Sequence, residues 1–493
     1  MKRRVVLIGF IFLLQINYLG AQDILTLNDC REMALKNNKS IKISEEKLIS
    51  AQERRKVAFS QFLPNFQATG SYLYNSKNLS LLADDALLPV GTMDANGNFT
   101  VRADQMANQF DQYGRPLDRN GLPFNPKTNP EKIIFKDYAY LPKESMQFDI
   151  QNVFVLGIGF TQPIFMGGKI LELYKISKTM EEMAKIQLDN SQINLLIEVD
   201  EAYWRVVSLV NKYNLAKEYH HLLLKTNSNI EEMVKEGIAT KSDVLKIKVK
   251  LNEAEMTLSK AENGLALSKM LLCQICSMPI SKEFTLSDEL LNKDIVINND
   301  INIASAINNR TETQLLNKVV EISKSAQKIA FSKYLPNIVA SGNYIASNPN
   351  MFNGYEKSLN GMFSFGVGIQ VPIFHWGENY HSLKSAKIGV KIAELEKEEA
   401  MEKMELQINQ MLFKVKEANK QKILATNNIA KAQENLESAR IGFESGVITT
   451  SDLMEAQTAY ISAKSEKIDA DINTIMTNVY LEKSLGNLSV KNN

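Results

Sequence analysis

The sequence of 493 residues predicts a mixed α and β membrane protein in which long coiled-coil helices follow directly on β-strands, arranged as two internal repeats. Three observations support this fold class. A strand-to-helix motif occurs twice, a motif at the start of a strand also occurs twice, and long segments without proline carry apolar residues at heptad spacing. Because no segment after the N-terminus offers about 20 consecutive apolar residues, any membrane-spanning part is expected to consist of strands.

Residues 1–21 are expected to be a secretory signal peptide. Lys2, Arg3 and Arg4 precede an apolar run over 5–14. This run is shorter than a membrane-spanning helix, and an uncleaved anchor is the alternative interpretation.

The charge and the cysteine content argue against several classes of protein. The net charge is +1 without a strongly basic block, so no nucleic-acid partner is expected. Three cysteines are too few for a disulfide-rich scaffold. Neither a P-loop nor a dinucleotide-binding glycine motif occurs, so no cofactor is expected.

The strand-to-helix motif organises the chain. It reads GIGFTQPIFMGG over 157–168 and GVGIQVPIFHWG over 366–377, 209 residues later. Because proline lacks a backbone N–H group, Pro163 and Pro372 are expected to end a strand or to lie in a first helical turn, and not to lie inside either element.

Alternation of residue types predicts two strands in each half of the chain. The second repeated motif reads FSQFLPNFQATGSY over 59–72 and FSKYLPNIVASGNY over 331–344, 272 residues apart. One expected strand face is apolar or small: Phe66, Ala68, Gly70, Tyr72, Tyr74, Ile338, Ala340, Gly342, Tyr344, Phe363, Phe365, Val367, Ile369 and Val371. The other is polar or small: Asn65, Gln67, Thr69, Ser71, Asn337, Ser341, Asn343, Ser364, Gly366, Gly368 and Gln370. This period of two is typical of strands.

The two halves differ mainly in the segment that joins their paired strands. It spans 76–151 in the first half and 347–361 in the second. The longer segment holds six of the twelve prolines of the chain: Pro89, Pro116, Pro123, Pro126, Pro130 and Pro142. Its composition predicts a long loop or a small irregular lid rather than a core element.

Each half continues into a long helical hairpin. In the first helix apolar residues recur at spacings of four and three: Leu195, Val199, Ala202, Val206, Leu209, Tyr213 and Ala216. This period predicts a left-handed coiled coil, and a continuous helix over 168–237 would be ~100 Å long.

Two matching turns, which we call the tips, reverse these helices at 237–243 and 446–452. In each tip a glycine that accepts the left-handed conformation ends one helix, and a threonine–aspartate capping box is expected to begin the next. The residues in these roles are Gly237, Thr240 and Asp243 in tip 1, and Gly446, Thr449 and Asp452 in tip 2.

The elements divide the chain after the signal peptide into two structural repeats. The first, 22–280, contains a helix, a strand over 63–75, the insertion over 76–151, a strand over 152–164 and a helical hairpin over 168–277. The second, 281–493, contains a helix, a strand over 335–346, a loop over 347–361, a strand over 362–373 and a hairpin over 377–485.

With these landmarks in this order, the chain resembles the TolC family of outer-membrane efflux and secretion ducts. The doubled Leu-Pro-Asn and Pro-Ile-Phe motifs and the two tips carry the resemblance, which covers nearly all of the chain after the signal peptide except the insertion. It implies a homotrimer in the outer membrane of a Gram-negative bacterium. Each chain would give four strands to one twelve-stranded transmembrane β-barrel and its helices to one periplasmic tunnel.

Physical reasoning agrees with assembly from several chains. Four strands cannot close a barrel, and an open edge in lipid leaves backbone groups without hydrogen bonds. Known barrels begin at about eight strands, and a trimer would leave a wider lumen than eight strands allow.

The resemblance also implies an acidic ring at the periplasmic entrance. Asp452 and Glu455 lie one helical turn apart, so their side chains share a face and match such a ring. The alternatives are a helix cap for Asp452 and an ordinary surface charge for Glu455. Lys246 stands at the position of Glu455 in the first repeat, so no ring is expected there.

A partner protein is expected to dock at the tips. Each tip offers a small residue, a bend and one aliphatic side chain, which suits a helical hairpin partner. The residues assigned to this docking are Gly237, Ile238, Asp243, Gly446 and Val447.

Cysteines and histidines do not predict a metal site. Cys273 and Cys276 form a CxxC without a second CxxC or nearby histidines, so an apolar helix end is favoured and a local disulfide is the alternative. His220 and His221 are neighbours and do not share a helix face.

The leading functional prediction is a passive exit duct of a tripartite efflux or type I secretion system, without enzymatic activity. Its expected partners are a periplasmic adaptor, an inner-membrane pump and outer-membrane lipid. The alternative is a non-conducting coiled-coil structural protein or adhesin of the cell surface. Strands with one apolar face favour the duct, and the sequence does not specify its substrate.

Overall fold

The structure, a computed structural model, describes residues 23–288 and 302–488. The predicted signal peptide over 1–21 lies outside these residues. The described residues separate into a strand unit, Gln61–Gly167 with Leu335–Val371, and a helical unit, which comprises the described parts of Met1–Ser60, Gly168–Tyr334 and Pro372–Asn493. Within the described ranges, no helix has both the length and the apolar character needed to cross a membrane.

The helical unit contains three pairs of helices with equal lengths. Its helices are α1 Leu27–Asn37, α2 Lys39–Ser60, α3 Lys169–Lys235, α4 Lys241–Ile275, α5 Ile303–Asn309, α6 Thr311–Ser332, α7 Glu378–Glu444 and α8 Thr450–Ser484. Helices α3 and α7 each have 67 residues, α4 and α8 each have 35, and α2 and α6 each have 22. At about 1.5 Å per residue, α3 and α7 are ~100 Å long.

The described strands form one larger sheet and several two-stranded ribbons. They are β1 Asp23–Leu25, β2 Asn65–Tyr74, β3 Leu79–Ser80, β4 Ala86–Pro89, β5 Thr92–Met93, β6 Phe99–Thr100, β7 Tyr138–Leu141, β8 Gln147–Phe148, β9 Asn152–Met166, β10 Phe284–Leu286, β11 Asn337–Asn348 and β12 Asn360–Gln370. The sheet is antiparallel in the order β12-β11-β9-β2. Strands β1 and β10 pair in parallel in the helical unit, a contact that the sequence did not predict.

The four-stranded sheet has one apolar and one polar face. Residues directly opposite each other in an antiparallel pair lie on the same face. Phe66 pairs with Phe160, and Gly342 lies opposite both Phe160 and Phe365, so these four residues share a face. Every second residue along each of the four strands belongs to the same face. The apolar face includes Phe66, Tyr72, Phe154, Leu156, Ile158, Phe160, Tyr344, Phe363, Phe365, Val367 and Ile369. The predicted alternation is therefore confirmed.

Pro163 corrects one expectation from the sequence. It lies inside β9, which continues to Met166, although proline was expected at the end of the strand. Beyond Thr161 no β2 residue pairs with β9, and the register with β11 shifts beside Pro163. A proline is tolerated at such a bulge because its missing N–H group interrupts no regular ladder. Pro372, in contrast, lies outside β12, which ends at Gln370 rather than at the predicted residue 373.

The insertion consists of short ribbons and turns, which corresponds more to the small irregular lid than to the long loop among the two expected forms. Three ribbons succeed one another within it, β3 with β8, β4 with β7 and β5 with β6. The buried Asn108 side chain ties the remaining part together, donating to the carbonyls of Leu117 and Lys132 at 3.0 Å and accepting from the Ile134 amide at 2.7 Å. An Asp-x-x-Gly spacing, which the sequence analysis did not use, forms three turns here: Asp94–Gly97, Asp111–Gly114 and Asp118–Gly121.

The largest core of the helical unit lies where α1, α3 and the end of α4 meet. The buried residues that share it include Ala34, Val199, Tyr203, Trp204, Val206, Leu272 and Phe284. Arg31 on α1 binds the buried Asp200 on α3 through two contacts of 2.8 and 2.6 Å. Removal of either partner would leave a charge without its counterion, which is strongly destabilising in an interior.

Candidate functional site

Both tips end their first helix with the same backbone geometry. Gly237 and Gly446 have φ angles of +77° and +73°, in the left-handed region that favours glycine. The amides of Gly237 and Ile238 donate to carbonyls in the last turn of α3 at 3.2 and 2.8 Å. Those of Gly446 and Val447 donate to the last turn of α7 at 3.0 and 2.8 Å. This is the Schellman motif, which satisfies carbonyls that a helix end leaves unpaired.

A capping box begins the second helix of each tip, as the sequence predicts. The Asp243 carboxylate accepts hydrogen bonds from the Thr240 amide and hydroxyl at 3.1 and 2.6 Å. Asp452 does the same with Thr449 at 3.0 and 2.8 Å. These side-chain and backbone hydrogen bonds hold the pKa of both aspartates below its usual range. The predicted capping box is thus present in both tips.

The aliphatic residues of the two turns are exposed. Ile238 keeps 64% of its surface accessible and Val447 keeps 79%. Each directly follows the turn glycine, whose added Cβ would meet no atom within 4 Å in either tip. Open space around the glycine and an unburied aliphatic side chain make both turns available for contact with another protein.

Tip 1 also has an apolar groove that the sequence analysis missed. The groove has a volume of about 450 Å³ and is lined by Glu231, Val234, Lys235, Lys241, Val244 and Leu245. Leu245 is 65% exposed although it lies in the first turn and a half of α4. The sequence signal was the apolar pair Val244–Leu245, of which only Val244 fits the heptad seam.

At tip 2 the residues that match the α4 side of this groove, Thr450, Leu453 and Met454, are buried. Met454, which corresponds to Leu245, is only 7% exposed and packs with Leu223, Ile230 and Ile247. Helix α8 therefore covers the end of the α3–α4 hairpin with its first turns. The two tips are alike in backbone and different in the apolar surface they present.

Asp452 and Glu455 lie on the exposed face of α8. Leu453, Met454, Ala456 and Gln457 from the same turns are buried, which leaves the two carboxylates on the opposite side of the helix. Among the residues that the structure describes, Glu455 has no hydrogen bond or ion pair. Asp452 is therefore engaged in a cap, whereas Glu455 is available to interact with solutes.

Lys246 brings a positive charge from tip 1 to the start of α8. Its Nζ atom lies 3.5 Å from an Asp243 oxygen and 3.4 Å from the Ser451 hydroxyl, next to Asp452. The sequence predicted that Lys246 keeps the first repeat out of an acidic ring. The structure adds that this lysine joins the two tips of one chain.

Polar contacts connect α3 with α8 along the interface between the two repeats. The Gln457 amide donates to the Thr226 hydroxyl at 3.3 Å, and Lys212 lies 2.6 Å from Asp469. Near the opposite end, the Tyr480 hydroxyl donates to the Glu201 carboxylate at 2.5 Å. Burial is the larger cause and the hydrogen bond to this carboxylate the second cause that together raise the pKa of Tyr480 to about 12. The apolar heptad positions of the sequence do not reveal this interface, because its contacts are made by polar residues.

The three cysteines are free and buried, and they share the core formed by α1, α3 and the end of α4. In the described part of the chain, no group of three or more His, Cys, Asp or Glu side chains is arranged to hold a metal ion.

Comparison with known proteins identifies the class of this chain. The family described as "Outer membrane efflux protein" matches residues 141–275 and 303–487. Outer membrane protein TolC of Vibrio cholerae serotype O1 is 20% identical over 341 residues, which is 68% of this chain and 76% of the relative.

Two solved outer-membrane proteins share the fold. The structure of CusC covers 93% of this chain and 91% of its own at 14% identity, with a TM-score of 0.70. The Campylobacter jejuni CmeC outer membrane channel covers 95% of this chain and 87% of its own at 15% identity, with a TM-score of 0.69. Taken with the family match and the doubled strand–helix architecture, these similarities show that the chain belongs to the outer membrane efflux protein family, is located in the outer membrane and extends into the periplasm.

Proposed function

We propose that the protein is the exit duct of a tripartite efflux or type I secretion system. Three chains would close one twelve-stranded barrel, and their helices would line one periplasmic tunnel. The duct would conduct substrates passively and without catalysis. A periplasmic adaptor and an inner-membrane pump would supply its energy and its cargo.

The observation that carries this proposal is the four-stranded sheet of the strand unit. Among the described residues its outer strands, β2 and β12, each pair with one neighbour only, so each has an open edge in the single chain. Its apolar face is exposed, with Phe66 70%, Ile158 65% and Phe363 66% accessible. Such a face suits lipid, and an open edge in lipid requires a partner strand. Pairing of β12 with β2 of a second copy would satisfy both edges at once.

Aromatic residues after β12 support a position at a membrane surface. Phe374, Trp376 and Tyr380 are all exposed although they are large and mostly apolar. Tryptophan and tyrosine concentrate at the interface between lipid and water because one end of the side chain is apolar and the other is polar. We therefore assign this segment to the boundary of the membrane.

The tips would serve the periplasmic end of the duct. We assign docking of the adaptor to Gly237, Ile238, Asp243, Gly446 and Val447, and extend this surface at tip 1 to Leu245. The ring at the entrance would consist of Asp452 and Glu455 from each of three chains. The insertion over 76–151 joins the strand ends that do not continue into helices, so we assign it to the outside of the cell.

Native mass spectrometry in detergent combined with bilayer recording tests the proposal. We expect a species of three chains that produces discrete conductance steps in a planar lipid bilayer. A monomer that conducts would contradict barrel closure by three chains. A trimer without any conductance would favour the structural or adhesin alternative.

A further inference from the structure

The three cysteines of the helical unit belong to one buried cluster, in which Cys276 lies against Cys30 and the Cys273 thiol points elsewhere. Cys30 lies on α1, Cys273 in the last turn of α4, and Cys276 directly after α4. All three are free and at most 1% exposed. The sequence pairs Cys273 with Cys276 in a CxxC, whereas the fold brings a third cysteine, 246 residues away from Cys276, to the same place.

Hydrogen bonds show which residue the Cys276 and Cys273 thiols each contact. The Cys276 thiol donates to the Cys30 carbonyl oxygen at 3.5 Å. The Cys276 side chain therefore lies against Cys30, and both residues belong to the same buried core. The Cys273 thiol points elsewhere, toward the Lys282 carbonyl oxygen at 3.9 Å.

Two further contacts hold α1 against the end of α4. The Asn38 amide donates to the Ile275 carbonyl oxygen at 2.8 Å, next to Cys276. Strand β1, just before α1, pairs with β10, which follows α4. Cys30 and Cys276 are thus kept together from both sides, by a strand pair and by a helix-end hydrogen bond.

We propose that Cys30 and Cys276 form an intrachain disulfide in the exported protein, while Cys273 remains a thiol. The inference rests on the periplasmic location of the helical unit, because disulfides form and persist in that compartment. It goes beyond the function as a duct and does not depend on trimer assembly.

The chemistry requires a disulfide-bonded oxidant of the periplasm. One cysteine, as its thiolate, attacks the oxidant and forms a mixed disulfide, and the second thiolate then displaces the oxidant. One S–S bond forms in the chain, and its two thiols lose two protons and two electrons. The oxidant takes them up and leaves as a dithiol. Because both sulfur atoms are buried in the native core, the exchange takes place before α1 packs.

The disulfide would fasten the N-terminal helix to the first repeat. It closes a loop of 246 residues, and closing a long loop restricts the unfolded chain more than closing a short one. The second repeat has Asn302 and Leu485 at the corresponding positions, so this fastening exists once in the chain.

Disulfide mapping of the full-length protein tests the proposal directly. Protein from outer membranes is acid-quenched, alkylated with iodoacetamide in denaturant and digested, and the peptides are analysed by mass spectrometry with and without reduction. We expect a reducible pair of peptides that contain Cys30 and Cys276, with Cys273 alkylated. A link between Cys273 and Cys276, or alkylation of all three cysteines before reduction, would overturn the proposal.

Matched variants provide a second readout. Cys273→Ser should keep the linked peptides, and a reductant should lower its unfolding temperature by several degrees, as for the unmodified protein. Cys30→Ser and Cys276→Ser should each lose the link and lose the effect of the reductant. An equal effect of reductant in all four proteins would show that the stabilisation does not come from this pair.

Discussion

At the scale of single residues, the two carboxylates of the candidate entrance differ in their hydrogen bonds: that of Asp452 is bonded, and that of Glu455 has no bond among the described residues. Asp452 accepts two hydrogen bonds from Thr449 and caps α8, so its substitution would change both the charge and the start of the helix. Glu455 lies on the same exposed face without such a bond in the described residues. Glu455 therefore allows the proposed ring to be tested separately from the cap.

We expect Glu455→Gln to reduce the preference of the duct for cations. Three carboxylates around one axis create a negative potential that attracts cations, and the amide removes this charge without a large change in shape. The reversal potential across a salt gradient should move toward zero. Asp452→Asn with Glu455→Gln should move it further.

Glu396→Gln is the matched control for this measurement. Glu396 is also exposed, but it lies on α7 about 50 residues before tip 2. Its variant should keep the original reversal potential. An unchanged potential in the double variant would leave Asp452 as a cap and Glu455 as a surface charge.

The capping boxes predict a loss of tip order at low pH. The pKa of Asp243 and Asp452 is lowered in the folded chain by their threonine partners. A carboxyl group of this kind stabilises the fold above its unfolded pKa of about 3.9, and the contribution is lost as the pH falls through the folded value. Protection of the tip amides from hydrogen exchange, corrected for intrinsic rates, should be constant from neutral pH to about 4 and fall below it.

Substitution of the threonine partners separates this effect from general acid unfolding. Thr240→Ala and Thr449→Ala should each reduce protection at their own tip by ~1 kcal/mol at neutral pH, the usual cost of a lost N-cap. The other tip serves as the internal control in each variant. Equal loss of protection at both tips in either variant would contradict a local role of the box.

At the scale of elements, the sheet separates two environments at neighbouring positions. Phe365 on β12 belongs to the apolar face, and Ser364 before it belongs to the polar face. We expect Phe365→Lys to cost about 2–4 kcal/mol per chain near the middle of the bilayer and to reduce assembly in the outer membrane. Ser364→Lys should assemble normally, because its side chain would face the lumen.

Heat-resistant trimers in isolated outer membranes, counted on gels, measure this difference. The two variants add the same charge to the same strand, so a general effect on export or synthesis would appear in both. Normal assembly of Phe365→Lys together with loss of Ser364→Lys would show that the faces are assigned the wrong way round.

If a partner docks at the tips, a large side chain in place of the turn glycine should impair export more than the backbone strain of a small one. Gly237→Ala and Gly446→Ala place a Cβ in open space and should cost only the ~1 kcal/mol of a left-handed residue. Gly237→Trp and Gly446→Trp add a large ring beside Ile238 and Val447 and should abolish export and cross-linking to the adaptor. The trimer should persist in all four variants. Full export with both tryptophan variants would exclude these turns as the contact.

The sequence predicts those features that depend on residues close together in the chain, and it does not predict those that depend on distant residues. Local patterns predicted the strand faces, the glycines that end the helices and the capping boxes, because each is decided by residues within a few positions. Burial of Met454 and exposure of Leu245 depend on how α8 packs against α3, and nothing in the two similar tip sequences distinguishes them. The pairing of Cys30 with Cys276 depends on a contact across 246 residues. Pro163 was placed wrongly because a bulge was not considered.

At the scale of the whole molecule, the two repeats have long helices of equal length, and the insertion over 76–151 makes the first repeat different from the second. Equal lengths of 67 and 35 residues for the paired helices let both hairpins turn back at corresponding points. The main differences between the halves are the insertion, the Cys30–Cys276 contact and the exposure of Leu245 at tip 1 where Met454 is buried at tip 2. The first repeat therefore carries more of the features that distinguish this chain from a simple duplication.

The orientation of the chain in the membrane can be tested with trypsin on intact cells. The insertion exposes Arg119 in the turn between Asp118 and Leu122, and tip 1 exposes Lys241 at the start of α4. If the insertion lies outside the cell, cleavage should occur there first, and tip 1 should be cut only after the outer membrane is made permeable. Fragment masses distinguish the two sites, since cleavage near 119 or near 241 divides the chain differently. Cleavage of tip 1 in intact cells with a protected insertion would mean that the assigned orientation is inverted.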